Sequence, residues 1–394
     1  MSRDAETRIA GVIAEALAPG PARAPDLSTV EWESLWESAR VHCLTPYLHE
    51  RWRECGVIER IPPAIAERFA AARAQNTERN RGIALELAEI CAAFQRIGIR
   101  VLVLKGLSIA QRYYHDAGLR VLYDLDLMIP DADGAAALRT MSSLGYAAYQ
   151  TGRRAHRNDL GLLWRPRDYD WDAERVFDPR RPIFVELHTR LWEANWHGFR
   201  LPDTINLWQE HCCQQFAGLE VPAPPEETIL VHLAVHYAFN ALESNARLMH
   251  LLDVALLLRS SAPALNWDSV LRVIYDCHVE RFCFLTFYLA RKICRTEVPE
   301  WVWDRLRGAT PAPVIRWLFV EGVEAAHAMN LYKRNRSRIY HLHWAMARDL
   351  GEKASVLLYA LRTPWEEAEG LQRWGAVCRR TAQRLRHLLA PNSQ

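Results

Sequence analysis

The spacing of hydrophobic and polar positions changes character along the chain. Arg8 to Leu17 and Val30 to Cys55 carry apolar residues at helical intervals; in the second stretch Leu35, Ala39, Cys43 with Leu44, and Leu48 recur on one face. Ser28 or Thr29 stands where a cap is needed, and Glu31 and Glu33 suit the first turn. Pro62-Pro63 interrupts the chain, and a long helix is predicted over Ala64 to Arg96, rich in good helix formers and closed by Gly98. From Ile99 the period shortens. Arg100 to Lys105 is a continuous apolar run that predicts a buried strand. Leu107 to His115 predicts a helix, Tyr123 to Ile129 a strand, and Asp133 to Leu144 a helix with Gly145 just past its end. Tyr146 to Gln150 and Leu160 to Arg165 are predicted strands, separated by the polar stretch Arg153 to Asp159. Arg165 to Arg181 reads as a loop, and Pro182 introduces a strand over Ile183 to His188. Beyond Arg190 the pattern is helical, with Pro222 to Pro225 as a stiff linker. Helices are predicted over Glu226 to Ala241, Arg247 to Ser260, Trp267 to Arg295, Pro299 to Leu306, Pro313 to Ala328, His341 to Arg362 and Glu366 to Leu389. The expected fold class is α+β: a small mixed-sheet core at 99–191, embedded between helical lobes at 1–98 and 192–394.

Composition narrows the classes. The 394 residues are half hydrophobic and about a quarter charged, an ordinary globular balance. A net charge of +2 gives no global argument for nucleic acid. The nine cysteines are scattered, odd in number and form no C-x-x-C pair, which argues against a zinc ribbon or a disulfide framework and predicts a reducing, cytoplasmic compartment. The first twenty residues lack the apolar core of a secretory signal, and no apolar run approaches the roughly 20 residues needed to span a bilayer. The tryptophans sit mostly in helical segments and are read as packing.

The chemistry concentrates in Val101 to Pro130. Residues two apart on a strand share a face, so Asp124, Asp126 and Met128 point one way while Tyr123, Leu125, Leu127 and Ile129 point the other. The two carboxylates lie about 6–7 Å apart at the backbone, suited to one or two magnesium ions together with substrate phosphates. Glu186 sits in the same way on its own strand, sharing a face with Phe184 and His188. If the two strands are neighbours, three carboxylates converge, and a divalent cation offsets their repulsion. Ahead of them, Lys105 and Gly106 end a strand: the glycine allows close backbone approach to a phosphate, the lysine neutralises one, and the following helix start favours an anion. Arg120 is placed to add a forked contact. Ser108 is a lesser phosphate candidate. Asp168, Asp170 and Asp172 form a second acidic run, read as a solvated turn.

The pattern Leu104-Lys105-Gly106, Tyr113 or Tyr114, Arg120, then Asp124-Leu125-Asp126-Leu127, resembles the uncharacterised nucleotidyltransferase family of the polymerase-beta-like superfamily. Members often accompany peptide natural-product gene clusters, including those for lasso peptides. The resemblance covers roughly Leu85 to Leu258. It implies that Asp124 and Asp126 are the metal pair and that Glu186, in Val185-Glu186-Leu187-His188, is the third acid. It also sets His232 to Leu258, with His236, Arg247 and Asp253, beside a helical stretch that follows the core in this family. Two departures stand out: Lys-Gly replaces the Gly-Ser of the wider superfamily, and the third acid is Glu where Asp is commoner.

The expectation is therefore a transferase moving a nucleoside monophosphate from an NTP, with Mg2+ (or Mn2+), to a peptide or small-molecule acceptor, releasing pyrophosphate. Asp124, Asp126 and Glu186 hold metal and catalyse; Lys105, Gly106, Ser108 and Arg120 hold phosphates; His188, His236, Arg247 and Asp253 line the pocket. Two alternatives come from other classes: a silent nucleotide- or peptide-binding module, and a tRNA-modifying nucleotidyltransferase, disfavoured by the near-neutral charge. His232 and His236 share a helical face without the glutamate of H-E-x-x-H. Asp253 is expected to pair with an Arg or His, Arg247 being one candidate through a neighbouring turn. His341 and His343, the run Lys333, Arg334, Arg336 and Arg338, and Arg373, Arg379, Arg380, Arg384 and Arg386 are read as surface or packing features before ligand contacts.

Overall fold

A computed structural model gives the architecture. It describes residues 3–23, 25–149, 159–171, 175–192, 195–202, 204–209, 211–243, 245–261, 264–327 and 342–366. Asp172, the basic run Lys333 to Arg338, His341 and the arginines beyond Glu366 lie outside the described residues.

The chain opens with α1 (Arg3–Leu17), α2 (Thr29–Val41), α3 (Thr45–Glu54) and the long α4 (Pro63–Arg96). The sheet region follows as β1 (Leu102–Val103), α5 (Leu107–Tyr113), β2 (Asp124–Met128), α6 (Gly134–Ser143), β3 (Ala147–Ala148), β4 (Asp159–Trp164) and β5 (Phe184–His188). Next come the short pairs β6 (Asn195–Trp196) with β7 (Phe199–Arg200), and β8 (Cys212–Phe216) with β9 (Leu219–Ala223). Helices then resume as α7 (Glu226–Leu242), α8 (Leu248–Ser261), α9 (Trp267–Asp276), α10 (Glu280–Cys294), α11 (Glu300–Gly308), α12 (Ala312–Trp317), α13 (Val323–His327) and α14 (Leu350–Glu366). No helix among the described residues is long and apolar enough to cross a membrane.

The sheet has the order β1-β2-β5-β4-β3. All its pairings are antiparallel except β2 with β5, which is parallel. One core lies under it: Leu87, Ile90 and Phe94 of α4 and Met141 of α6 pack with Leu125, Leu127, Val185 and Leu187, and Phe216 and Val221 of the β8–β9 hairpin close it. A second core joins helices from before and after the sheet, through residues such as Trp52, Phe69, Leu233, Phe239 and Phe282. The result is a small mixed sheet set among helices, the α+β class expected.

Four differences separate the structure from the sequence expectation. The predicted helix Val30 to Cys55 is two helices, because Cys43 turns left-handed (φ 60°) and the Leu44 amide reaches back to the Ala39 carbonyl at 2.8 Å. The predicted helix Trp267 to Arg295 breaks in the same way at His278 (φ 58°), with the Val279 amide on the Ile274 carbonyl at 3.0 Å. These closures usually fall on glycine or asparagine, and here neither residue announces them. The segment after Arg190 is not all helical: β6 to β9 occupy it, and Pro222, expected in a linker, pairs with Cys213 inside β9. The strand predicted over Arg100 to Lys105 contracts to Leu102–Val103.

Candidate functional site

Leu125 and Leu127 are driven into the core under the sheet, as are Val185 and Leu187, each at most 1 % exposed. Strand alternation then sends Asp124, Asp126 and Met128, and Phe184, Glu186 and His188, to the opposite face. The parallel register sets Asp124 beside Phe184, Asp126 beside Glu186 and Met128 beside His188. The two acid-bearing strands are thus neighbours, although some sixty residues separate Asp126 from Glu186 in the chain.

Asp126 lies at the centre and is 1 % exposed. Its Oδ1 receives the Lys105 ammonium at 3.0 Å and stands 3.1 Å from His188 Nε2. Its Oδ2 is buried with no hydrogen-bond partner among the described residues. His188 Nε2 is also 3.5 Å from Glu186 Oε2. One donor atom each from Asp126, Glu186 and His188 falls within a sphere of mutual distances under 4.8 Å, as a shared cation requires. Asp124 sits outside that group, at the start of β2.

The charges are strongly coupled. Burial opposes ionisation of Asp126, yet the Lys105 ammonium and His188 hold it well below the usual carboxylate range. Asp124 is pushed up to about 7, first by burial and then by the charge on Asp126. Burial alone would lower Lys105, but Asp126, Asp124 and Glu186 keep it charged above its ordinary value. On α7, His236 Nε2 lies 3.2 Å from Lys105 Nζ and 3.1 Å from Asn240 Nδ2. Burial and the nearby Lys105 keep that ring neutral, so Nε2 accepts from the ammonium. One turn earlier, His232 is lowered to about 3 by burial. Neither of its ring nitrogens has a partner among the described residues.

Gly106 forms the turn between β1 and α5 at φ 62°, a conformation that L side chains resist. A Cβ there would lie 3.6 Å from the Asp124 carbonyl oxygen, so the turn abuts β2. Two of the expected phosphate contacts are already engaged. Ser108 is fully buried, and its hydroxyl accepts from Gln214 Nε2 at 2.8 Å. Arg120 gives its fork to Asp253, Nε to Oδ1 at 2.9 Å and Nη2 to Oδ2 at 2.7 Å, with the Tyr114 hydroxyl on the same carboxylate at 2.8 Å. Asp253 thus pairs with an Arg, as expected, and that Arg is Arg120 and not Arg247. Arg247 instead lies 4.1 Å above the Tyr123 ring. Lys105, His188 and His236 meet around Asp126; Ser108, Arg120, Asp253 and Arg247 support or border that centre.

Sequence reasoning passed over several neighbours. Arg181 lies 5.6 Å from the Tyr123 ring and 5.7 Å from that of Trp171. Tyr149 and Trp164 join Phe184 on the carboxylate face, through a cross-strand register that no single strand's periodicity reveals. A second triad, Glu50, Glu54 and His115, borders a separate, small cleft. There Glu50 is already ion-paired with Arg53 and Arg73.

Residues 28–295 match the family described as an uncharacterised nucleotidyltransferase, more than half of the chain. No curated protein and no solved structure matches it. With a turn, a lysine and a set of carboxylates on one sheet face, the chain belongs to this nucleotidyltransferase family and is a transferase that takes an NTP substrate.

Proposed function

We propose that the protein is a magnesium-dependent nucleotidyltransferase that moves a nucleoside monophosphate to a peptide or small-molecule acceptor and releases pyrophosphate. The observation that carries this reading is the pairing of Asp126 with Glu186 across β2 and β5, with Asp126 Oδ2 buried and without a partner among the described residues. A buried carboxylate oxygen without a donor is costly, and a divalent cation satisfies it. Asp126 and Glu186 hold the metal with Asp124 beside them, and His188 closes the donor set. Mg2+, held by hard oxygens and substrate phosphates, supplies charge neutralisation at the reacting phosphorus.

The chain's own groups do the rest. The Gly106 turn lets the backbone approach the triphosphate. Lys105, fixed between Asp126 and His236, brings a permanent positive charge to the point where phosphate oxygens gather. Arg120 acts at one remove: tied to Asp253 and Tyr114, it braces the segment that leads into β2. Glu186, more exposed than Asp126, receives the proton of the acceptor hydroxyl. The acceptor oxygen bonds to the α-phosphorus as the bridging bond to pyrophosphate breaks, and the rate gain comes from positioning and charge.

Incubation with labelled NTPs, Mg2+ and candidate acceptors, read by pyrophosphate release, tests the reaction. Asp126→Asn is expected to lower turnover by at least about 10²-fold and to weaken Mn2+ binding measured by electron paramagnetic resonance. Full turnover in that variant would remove Asp126 from the site.

A further inference from the structure

The face that carries the carboxylates also carries a group of aromatic rings that neither core uses. Trp171 stacks on Phe184, with centroids 5.6 Å apart and planes at 15°. Tyr149 meets Phe184 edge-on at 4.9 Å and Trp164 at 5.4 Å, and Trp164 lies 6.1 Å from Trp171. None of the four belongs to either packed core among the described residues. Trp171 remains 42 % exposed, and the other three are half-buried. Arg181 sits 5.7 Å from the Trp171 ring and holds it by a cation–π contact.

Strand register fixes where these rings stand relative to the chemistry. One row across the sheet runs from Gly106, which abuts Asp124, through Asp124 and Phe184 to Trp164. The next runs from Asp126 through Glu186 to Leu162, and the Tyr149 amide donates to the Leu162 carbonyl at 2.7 Å. The first row reads phosphate turn, carboxylate, aromatic rings; the second reads carboxylates and then, past Leu162, Tyr149. In-line displacement at phosphorus puts the entering and leaving oxygens on opposite sides. With pyrophosphate at the Gly106 end, the entering oxygen arrives from the end where the rings lie. Successive strands are about 4.8 Å apart, so a ring lying on this platform carries a hydroxyl substituent toward Glu186.

We propose that Tyr149, Trp164, Trp171 and Phe184 form the acceptor subsite, and that the acceptor bears a flat aromatic ring, of the size of a phenol, next to its reacting hydroxyl. The assignment rests on the transferase reading above for its orientation. The nucleobase of the NTP is the competing occupant, and the test separates the two.

Saturation-transfer NMR on the full chain reads binding without turnover, using N-acetyl-L-tyrosinamide against N-acetyl-L-leucinamide. The tyrosine ring is expected to saturate well above the leucine methyls. Trp171→Ala, at an exposed position that leaves the cores intact, is expected to lower the ring signal about fivefold, in line with the loss of one aromatic pair. Trp171→Phe restores it. Binding of α,β-methylene-ATP with Mg2+ is expected to be the same in all three proteins. An unchanged ring signal in Trp171→Ala, or a ring signal no stronger than that of the leucine probe, overturns the subsite. A parallel loss of α,β-methylene-ATP binding also overturns it and gives the platform to the nucleobase. Because no readout depends on transfer, absence of turnover bears on the transferase reading alone.

Discussion

Arg120 illustrates how far a single side chain can be read in advance. Its place before the acidic strand suggests a phosphate contact, yet its guanidinium is 5 % exposed and locked bidentately on Asp253 of α8. Removing one member of such a pair strands the other charge in the interior. Asp253→Ala is therefore expected to cost about 3–5 kcal/mol in a denaturant titration, with the Tyr114 hydroxyl also left without its acceptor. Arg120→Met combined with Asp253→Leu should recover most of that loss. If the single variant is as stable as the double, the pair contributes nothing. The partner of Arg120 was not readable because it lies 133 positions away in the chain, on a helix whose approach no local pattern encodes. The carboxylates were readable, because alternation on one strand is a local property. Ser108 misled for a further reason: Gln214, on a hairpin that the sequence did not disclose, reaches its hydroxyl.

Helix α2 shows the opposite case, an end written into adjacent residues. Glu31 accepts from the Ser28 amide at 2.9 Å and from the Ser28 hydroxyl at 2.7 Å, the back-reaching half of the capping expected of Ser-x-x-Glu. The Ser28 amide and hydroxyl, with Arg8, hold the Glu31 carboxyl at about 2, below its ordinary 4.5. A depressed acid contributes fully above its unfolded value and loses that contribution as pH falls through the folded one. Glu31→Gln should thus lower the denaturation midpoint at pH 7, and the gap from the unaltered protein should close between pH 4.5 and about 2. A gap that persists at pH 2 would assign the effect to packing. The ends of α2 and α9 were hidden because Cys43 and His278 adopt left-handed geometry without being glycine. The β8–β9 hairpin turns at Ala217 (φ 49°) and Gly218 (φ 84°), where only the glycine gives a cue.

Across the molecule, segments far apart in the chain are fastened by few, well-buried links. Glu352 of α14 receives Arg281 of α10 at 3.0 Å and the Arg200 amide of β7 at 3.0 Å, and Val356 joins the larger core. Gly198, between β6 and β7, makes this docking possible. Its φ is 90°, and a Cβ there would fall 2.5 Å from the Val356 amide nitrogen. Gly198→Ala is expected to lift α14 away, seen as faster amide exchange over residues 350–359 while α4 and α7 keep their protection. Unaltered exchange in α14 would show that the backbone yields at little cost. The general plan, a small sheet among helices, followed from the change of hydrophobic period. The contacts that join its parts did not, because they depend on which distant surfaces happen to meet.

The ammonium of Lys105 makes the carboxylate cluster its own counterion reservoir. A site that had only acids would depend on a bound ion to stay assembled, as structural metal sites do. Here Asp126 already holds a covalently tethered cation at 3.0 Å. The empty and loaded forms should therefore share one fold, and if the proposed metal role holds, EDTA is expected to stop turnover while leaving the far-UV circular dichroism unchanged; a loss of helical signal would contradict this. An ion bound as proposed would also have to share Asp126 with a resident charge. On the proposed reading, that would weaken its hold and favour its departure with the leaving phosphates, so that each round of transfer would begin from a protein already folded.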